Sequence, residues 1–460
     1  VTTKKHDEQQ SEYLATLSSL LKENSQIEPD LYNQYDVKRG LRDIDGNGVL
    51  TGLTNISTVL QYEEVDGKQV PADGRLYYRG INVKDLIGGS IMDNRSGFEE
   101  TIYLLLFGQL PNMKQLVEFK ELLHSYRVLP RNFVRDVIMK APSKDITNMM
   151  IRSILTLYSY DKSGNDTSVE NVMRQCLQLI AVAPQLMVYC YQAYKHLRLD
   201  DSLYIARPLA NKSVSENILY MLRPDGKYTP LEARVLDLAL ILHADHGGGN
   251  NSTFTMHVVT SSGTDTYAAV AAALCSLKGP KHGGANIKVC EMFTDMKKHV
   301  HNWKDETQIC AYLRDLLDKK AFDKQGLIYG IGHAVYTVSD PRAVIFKKFV
   351  QQLSIEQGYE KEFNLMEKVE ELAPKVISEN RRMHKEISAN VDFYSGFAYR
   401  MLGLPEELFT PLFAVSRIAG WSAHRLEELI NGGKIIRPAY MSVMPERPYQ
   451  MMSERKIKET

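Results

Sequence analysis

Chemistry-bearing side chains cluster beside glycines at five places in this chain. His333 stands in GLIYGIGHAVYTVSDPR (residues 326–342), after Gly330 and Gly332 and before Asp340-Pro341-Arg342. The glycines let the backbone turn tightly beside a ligand, and Pro341 favours a helix start that places Arg342 near a helix N-terminus. An imidazole and a guanidinium on one loop suit a small, anionic, carbonyl-bearing ligand. His243 and His246 end an apolar run in HADHGGGN, and His282 lies between Pro280 and Gly283 in GPKHGGAN. Asp392 is flanked by Val391, Phe393 and Tyr394, a setting that desolvates a carboxyl and strengthens it as a base. Arg417, in RIAGW, and Arg437, in KIIRP, complete the set. Taken one at a time, each of these stretches is also what a capped helix end or a paired arginine looks like.

The elements that must hold these residues read as helices. Leu231–His246 is apolar nearly all round, as in a helix buried on every side. Thr266–Lys278 is alanine-rich and stops at Gly279-Pro280. Further helices are expected at Phe98–Gly108, Leu116–Tyr126, Ile146–Tyr160 and Ser168–Leu197, the last kinked or broken by Pro184. Leu14, Leu17, Leu20 and Leu21 put a peripheral helix in the polar first 35 residues. Only Asn55–Val65 and Gln69–Tyr78 read as a strand pair, so the fold class is all-α with minimal β. The run Asp43-x-Asp45-x-Asn47-Gly48 mimics a calcium loop, but Thr54 stands where the bidentate glutamate belongs, and calcium is rejected.

Composition narrows the partners. The 460 residues carry zero formal net charge, which favours neither nucleic acid nor an anionic membrane, so any anion must be held by a local positive cluster. Five cysteines without a CxxC pair point to a reducing, cytoplasmic setting. The polar start reads as neither signal nor transit peptide and leaves room for a presequence cleaved before Val1. Walker A and GxSxG sequences are missing, and Gly330-x-Gly332 lacks its third glycine, which disfavours nucleotide-powered, nicotinamide and serine-hydrolase chemistry. His243 and His246 at i and i+3 do not match a metalloprotease helix, and no metal is expected.

Together and in order, HADHGGGN, GPKHGGAN, GIGHAVYTVSDPRA, NVDFYSG, RIAGW and IIRP resemble the citrate synthase family, in its bacterial type, from about residue 35 to about 440. The resemblance implies a helical homodimer, with a hexamer of dimers left open, whose small domain closes over the substrates. Here the large domain would be 1–282 and 390–460, with a polar extension at about 1–35, and the small domain 283–389. It implies acetyl-CoA and oxaloacetate as substrates, no cofactor, and citrate and CoA as products. His282, His333 and Asp392 would be catalytic. His246, His333, Arg342, Arg417 and, across the dimer, Arg437 would bind oxaloacetate, with His243 in support. Two departures stand out: Gly247 replaces a glutamate common after HADH, and Thr337-Val338-Ser339 offers no base for CoA phosphate. Arg381, Arg382 and Lys385 are the candidates for that contact. A 2-methylcitrate synthase using propionyl-CoA is the nearest alternative. More distant ones are a metal-dependent hydrolase built on His243, Asp245 and His246, and a non-catalytic helical scaffold.

Overall fold

The computed structural model describes residues 2–43, 48–332, 336, 338–381 and 387–455, the side chains of 2–9, 69 and 381 excepted. His333, Arg382 and Lys385, and Asp45 and Asn47 of the calcium-like run, therefore lie outside the described residues, as does the Arg381 side chain. Among the described residues the chain forms seventeen α-helices and one antiparallel sheet, β1 (Ser57–Val65), β2 (Lys68–Tyr78) and β3 (Ile81–Asn82), in the order β1-β2-β3. The mainly helical class expected from the sequence holds, and the strand pair falls within two residues of its expected place.

Two compact units divide the chain. The first joins Val1–Gly52 with Arg437–Thr460; the second is Leu53–Ile436. In the first, helices span Thr2–Ser25 and Pro29–Gln34, and Leu14, Leu17, Leu20 and Leu21 are exposed in the single chain. The second contains both the proposed small-domain segment and the sequence on either side of it.

The second unit is built on helices that bury nearly every face. Pro230–His243 begins with a capping box, in which Thr229 accepts from the Glu232 amide and the Glu232 carboxylate accepts from the Thr229 amide, and Pro230 takes the first turn. From Val235 to Leu242 its residues are buried on all sides, so shortening Leu240 to Ala is expected to cost about 2–5 kcal/mol. Against it and against Val169–Arg198 packs Phe409–Ile430, buried from Ala414 to Leu426.

Pro184 departs from expectation. Val169–Arg198 runs unbroken through it for 30 residues. Residues 179–190 are all buried, and packing of that depth outweighs the lost hydrogen bond and the ring's local clash. This helix is long and apolar enough to cross a membrane, but 89% of its apolar window is buried inside the protein.

Candidate functional site

At the end of Pro230–His243 the chain turns through Ala244, Asp245 and His246, all buried. Gly247 then takes φ +86°, a left-handed conformation that glycine adopts without strain; this is where the expected glutamate is missing. Its amide donates to the Asp245 carboxylate and to Ser57 Oγ, both at 3.0 Å, and Ser57 Oγ donates to Asp245 in turn. His424 adds a contact of 3.3 Å to the Asp245 carboxylate. Burial works against an ionised Asp245, but His424, Arg417 and Ser57 outweigh it and hold the carboxyl well below its ordinary range. Asp245 is thus committed to holding the turn. Among the described residues no three His, Cys, Asp or Glu side chains gather as a metal set.

His282 follows the helix Thr266–Leu277 in a tight loop, its amide donating to the Gly279 carbonyl at 2.8 Å. Its Nε2 lies 3.0 Å from Ser252 Oγ, on the first turn of the helix Asn251–Ser261. Burial, reinforced by the Arg417 charge, lowers His282 to about 4, so the ring is neutral near pH 7 and carries one proton. Ser252 accepts from Trp421 Nε1 at 3.3 Å and donates to Asn250 Oδ1 at 2.9 Å. When its single proton faces Asn250, His282 keeps its own proton on Nε2. When the hydroxyl turns to His282, the imidazole proton moves to Nδ1, on the other side of the ring. Ser252 therefore selects the tautomer. Ser252→Ala is expected to lower kcat about 2- to 10-fold, the worth of one neutral hydrogen bond, with little change in KM for the anionic substrate. Steady-state kinetics on both substrates check it; an unchanged kcat would remove Ser252 from the site.

The backbone leading up to His333 is anchored. Gly330 (φ +81°) and Gly332 (φ +97°) carry it past residues 388–390: the Gly332 amide donates to the Ser388 carbonyl at 2.7 Å, and the Asn390 amide to the Gly330 carbonyl at 2.9 Å. A methyl group on Gly330 would lie 2.8 Å from Val289 and 2.9 Å from the Phe393 ring, so no larger residue fits. Asn390 then caps the helix Val391–Met401, accepting from the Asp392 amide at 2.9 Å. Residues 330–332 and the Asp392 helix thus share one foundation.

Asp340 caps the helix Pro341–Gln357 and grips Arg342 at the same time. Its carboxylate accepts from the Arg342 amide (3.0 Å), Nε (3.0 Å) and Nη2 (2.8 Å), and from the Val391 amide (3.2 Å). Burial opposes the Arg342 charge, but Asp340 more than compensates and raises its pKa. The helix start expected from Pro341 is present, and Arg342 lies at it.

Arg417 is bound differently. It is fully buried on Phe409–Ile430, with Nε donating to the His243 carbonyl at 2.7 Å and its Cζ 4.7 Å from the Phe413 ring centre. Nη1 and Nη2 have no partner among the described residues. Burial lowers Arg417 to about 10, with Asp245 holding it up. Both ring nitrogens of His243, whose ring is tilted against Phe413 at 4.5 Å between centres, likewise lack a partner among the described residues. Buried donors cost free energy when unmade, so the four donors and acceptors here mark where a polar ligand belongs.

Asp392 faces this cluster. Burial pushes its carboxyl up to about 6; Arg342 and Arg417 pull it down, and Asp340 pushes it further up. A half-buried carboxylate in that range, beside two buried guanidiniums, is suited to act as a base next to a positive patch. The structure gathers His243, His246, His282, Arg342, Asp392 and Arg417 around one centre of charge. Arg437 is exposed at the start of the C-terminal stretch, in the other unit. Ser57, Tyr78, Ser252, Tyr336 and Phe413 carry no role in the sequence reading, because an isolated hydroxyl or ring on an apolar element has no local signature.

Comparisons with known proteins place this helical fold in a family. The family model for "Citrate synthase, C-terminal domain" matches residues 45–439, and the chain belongs to the citrate synthase family. It is a transferase of the citrate synthase type. It is similar to citrate synthase 2 of Bacillus subtilis, 36% identical over 394 residues that cover 85% of this chain and 93% of the relative. It is also similar to a 2-methylcitrate synthase of Shewanella oneidensis, 32% identical over 374 residues, or 81% and 90% of the two chains. Among solved structures, the citrate synthase of Thermoplasma acidophilum in ternary complex with carboxymethyl coenzyme A and oxaloacetate superposes with a TM-score of 0.74. That match has 27% identity and covers 91% of this chain and 99% of the other.

Proposed function

We propose that the chain condenses acetyl-CoA with oxaloacetate and water to give citrate and CoA, as a step of the tricarboxylic acid cycle. Asp392 removes a methyl proton from the thioester while His282, its proton on Nδ1 once the Ser252 hydroxyl turns from Asn250 to Nε2, donates a hydrogen bond to the thioester oxygen as the enolate forms. Arg342, Arg417 and His246 hold the oxaloacetate carboxylates, with Arg437 of a second subunit completing the set, and His333 polarises the ketone. The enolate carbon attacks that ketone carbon, and the alkoxide formed takes up a proton to give citryl-CoA. Water then cleaves the thioester, releasing the CoA thiol. Closure of a small domain, residues 283–389, over 1–282 and 390–460 would exclude bulk water during the first step. Arg381, Arg382 and Lys385 remain the proposed CoA contacts. The working unit is a homodimer in the cytoplasm, and no cofactor takes part.

The observation that carries this reading is that Asp392, its carboxyl up at about 6, feels the charge of Arg417, whose Nη1 and Nη2 have no partner among the described residues. A base poised near neutrality and an open dicarboxylate-sized charge are the two requirements of the enolisation and of its electrophile. Propionyl-CoA differs by one methylene, which a pocket discriminates by only about 1–3 kcal/mol, and relatives of both names match this chain to a similar degree. Thiol release is therefore measured with each acyl-CoA, with and without oxaloacetate. Faster oxaloacetate-dependent release from acetyl-CoA is expected. Faster release from propionyl-CoA would make the activity that of a 2-methylcitrate synthase, and no release from either would overturn the reading.

A further inference from the structure

The only sheet among the described residues has no residue in the chemistry, yet it touches both halves of the site. One contact is at its paired end, where Ser57 of β1 stands opposite Tyr78 of β2. Ser57 Oγ holds the Asp245 carboxylate and the Gly247 amide. The Tyr78 hydroxyl, fully buried, donates to the Ile241 carbonyl at 2.9 Å and accepts from the Asp245 amide at 3.3 Å. Burial and the Asp245 charge keep the Tyr78 proton on its oxygen. Two strands thus grip the turn that presents His243 and His246.

The second contact depends on a fault in the ladder. β1 and β2 pair Leu60 with Arg75 but Tyr62 with Pro71, so Ala72, Asp73 and Gly74 stand opposite Gln61 alone. Bulges of this kind release backbone groups from the sheet and aim them elsewhere. Here the Gly74 amide donates to the Ser339 carbonyl at 3.1 Å, and Ser339 Oγ donates to Asp73 Oδ1 at 2.7 Å. Ser339 immediately precedes Asp340, which grips Arg342. The approach is close: a methyl group at Gly74 would fall on the Ser339 carbonyl oxygen and 2.5 Å from Cδ1 of Tyr336. Tyr336 is buried, with its ring edge-on to His246 at 5.5 Å between centres and 5.9 Å from Cζ of Arg342. The two halves that the hairpin grips therefore meet at Tyr336.

We propose that the β1–β2 hairpin is a positioning clamp that fixes the spacing between the His246 turn and the Arg342 loop, and so sets affinity for the dicarboxylate without touching it. The inference rests on the oxaloacetate reading of His246 and Arg342. Its physical basis is geometric: a bidentate guanidinium and an imidazole share one small ligand only at a fixed separation, and displacement of about 1 Å costs on the order of 100-fold in a site of this kind. Gly74 has no left-handed φ, so alanine suits its backbone, and the effect of Gly74→Ala comes from the methyl group alone.

Gly74→Ala is expected to raise KM for oxaloacetate about 10-fold or more, with KM for the acyl-CoA within about two-fold of wild type. Asp73→Ala and Ser339→Ala, which remove only the exposed latch and carry little folding risk, are expected to give smaller rises in the same constant. Asp73→Asn, which keeps an acceptor for Ser339, is expected to restore it. Hydrogen exchange of the amides in 336–345 is measured on the same proteins and should rise in Gly74→Ala and Asp73→Ala. A wild-type oxaloacetate KM in Gly74→Ala, Asp73→Ala and Ser339→Ala, or a joint worsening of both KM values and the thermal midpoint, would overturn the clamp. If the wild-type enzyme does not use oxaloacetate at all, the functional reading has failed, and hydrogen exchange decides the clamp alone: unchanged protection of 336–345 in Gly74→Ala removes it.

Discussion

Replacing Asp392 by Asn should lower kcat by about 100- to 10,000-fold, the usual contribution of a positioned general base, while leaving the oxaloacetate-induced thermal shift close to that of wild type. The separation is expected because, on the proposed reading, Asp392 acts on the methyl group alone, and the buried guanidiniums assigned to the dianion remain. In the wild-type enzyme kcat/KM for the acyl-CoA should fall on acidification with an apparent pKa near the carboxyl's value of about 6. The same shift has a stability consequence with a definite sign. The folded carboxyl, at about 6, binds its proton more tightly than the unfolded one, at 3.8. Stability is therefore favoured below 3.8 and lost as pH rises through about 6, because the ionised form is desolvated in the fold. Asp392→Asn should accordingly melt higher than wild type at about pH 8, with the advantage fading towards about pH 4. A variant that kept most of its turnover would remove Asp392 as the base, whatever its melting behaviour.

The residues with the strongest chemistry were legible because glycines and apolar neighbours surround them. Asp392 between Val391 and Phe393 reads as a desolvated carboxyl, and the structure places it on the first turn of a helix whose base is shared with residues 330–332. Asp340 reads only as part of a turn, since nothing local says that its two oxygens serve four donors from two separate helices. Long-range partnerships of that kind leave no periodic trace. Ser57 and Asp245 are 188 residues apart, and Gly74 and Ser339 meet across 265. Helices were read well where the apolar pattern is continuous, as in Pro230–His243. At Pro184 the local rule failed, because tertiary burial on every side of Val169–Arg198 outweighs an intrinsic preference for a break. The hairpin was placed to within two residues, but its use was not: its role depends on a register fault at Asp73–Gly74, and PADGRL read alone is an ordinary turn-like stretch.

Arg417→Leu and Arg342→Leu should both abolish oxaloacetate binding at ordinary concentrations, yet differ sharply in what they do to the fold. Loss of one buried guanidinium from a carboxylate costs about 2–5 kcal/mol, or roughly 30- to several-thousand-fold in affinity. Arg342 also neutralises Asp340, which is buried and would then keep its charge without its partner; breaking a pair of that kind destabilises by about 3–5 kcal/mol. Among the described residues Arg417 neutralises no carboxylate in direct contact. Its one described hydrogen bond runs from Nε to the His243 carbonyl, and burial disfavours its charge. A leucine there forfeits about 1 kcal/mol for that bond and relieves the desolvation of an unpaired guanidinium, so the thermal midpoint should hold or rise. Melting curves with and without oxaloacetate read both effects at once. Arg342→Leu is expected to melt lower and Arg417→Leu at or above wild type, neither shifted by the ligand. An Arg417→Leu protein still stabilised by oxaloacetate would mean that the unpartnered nitrogens of Arg417 serve some other group, and that the dicarboxylate is held without them.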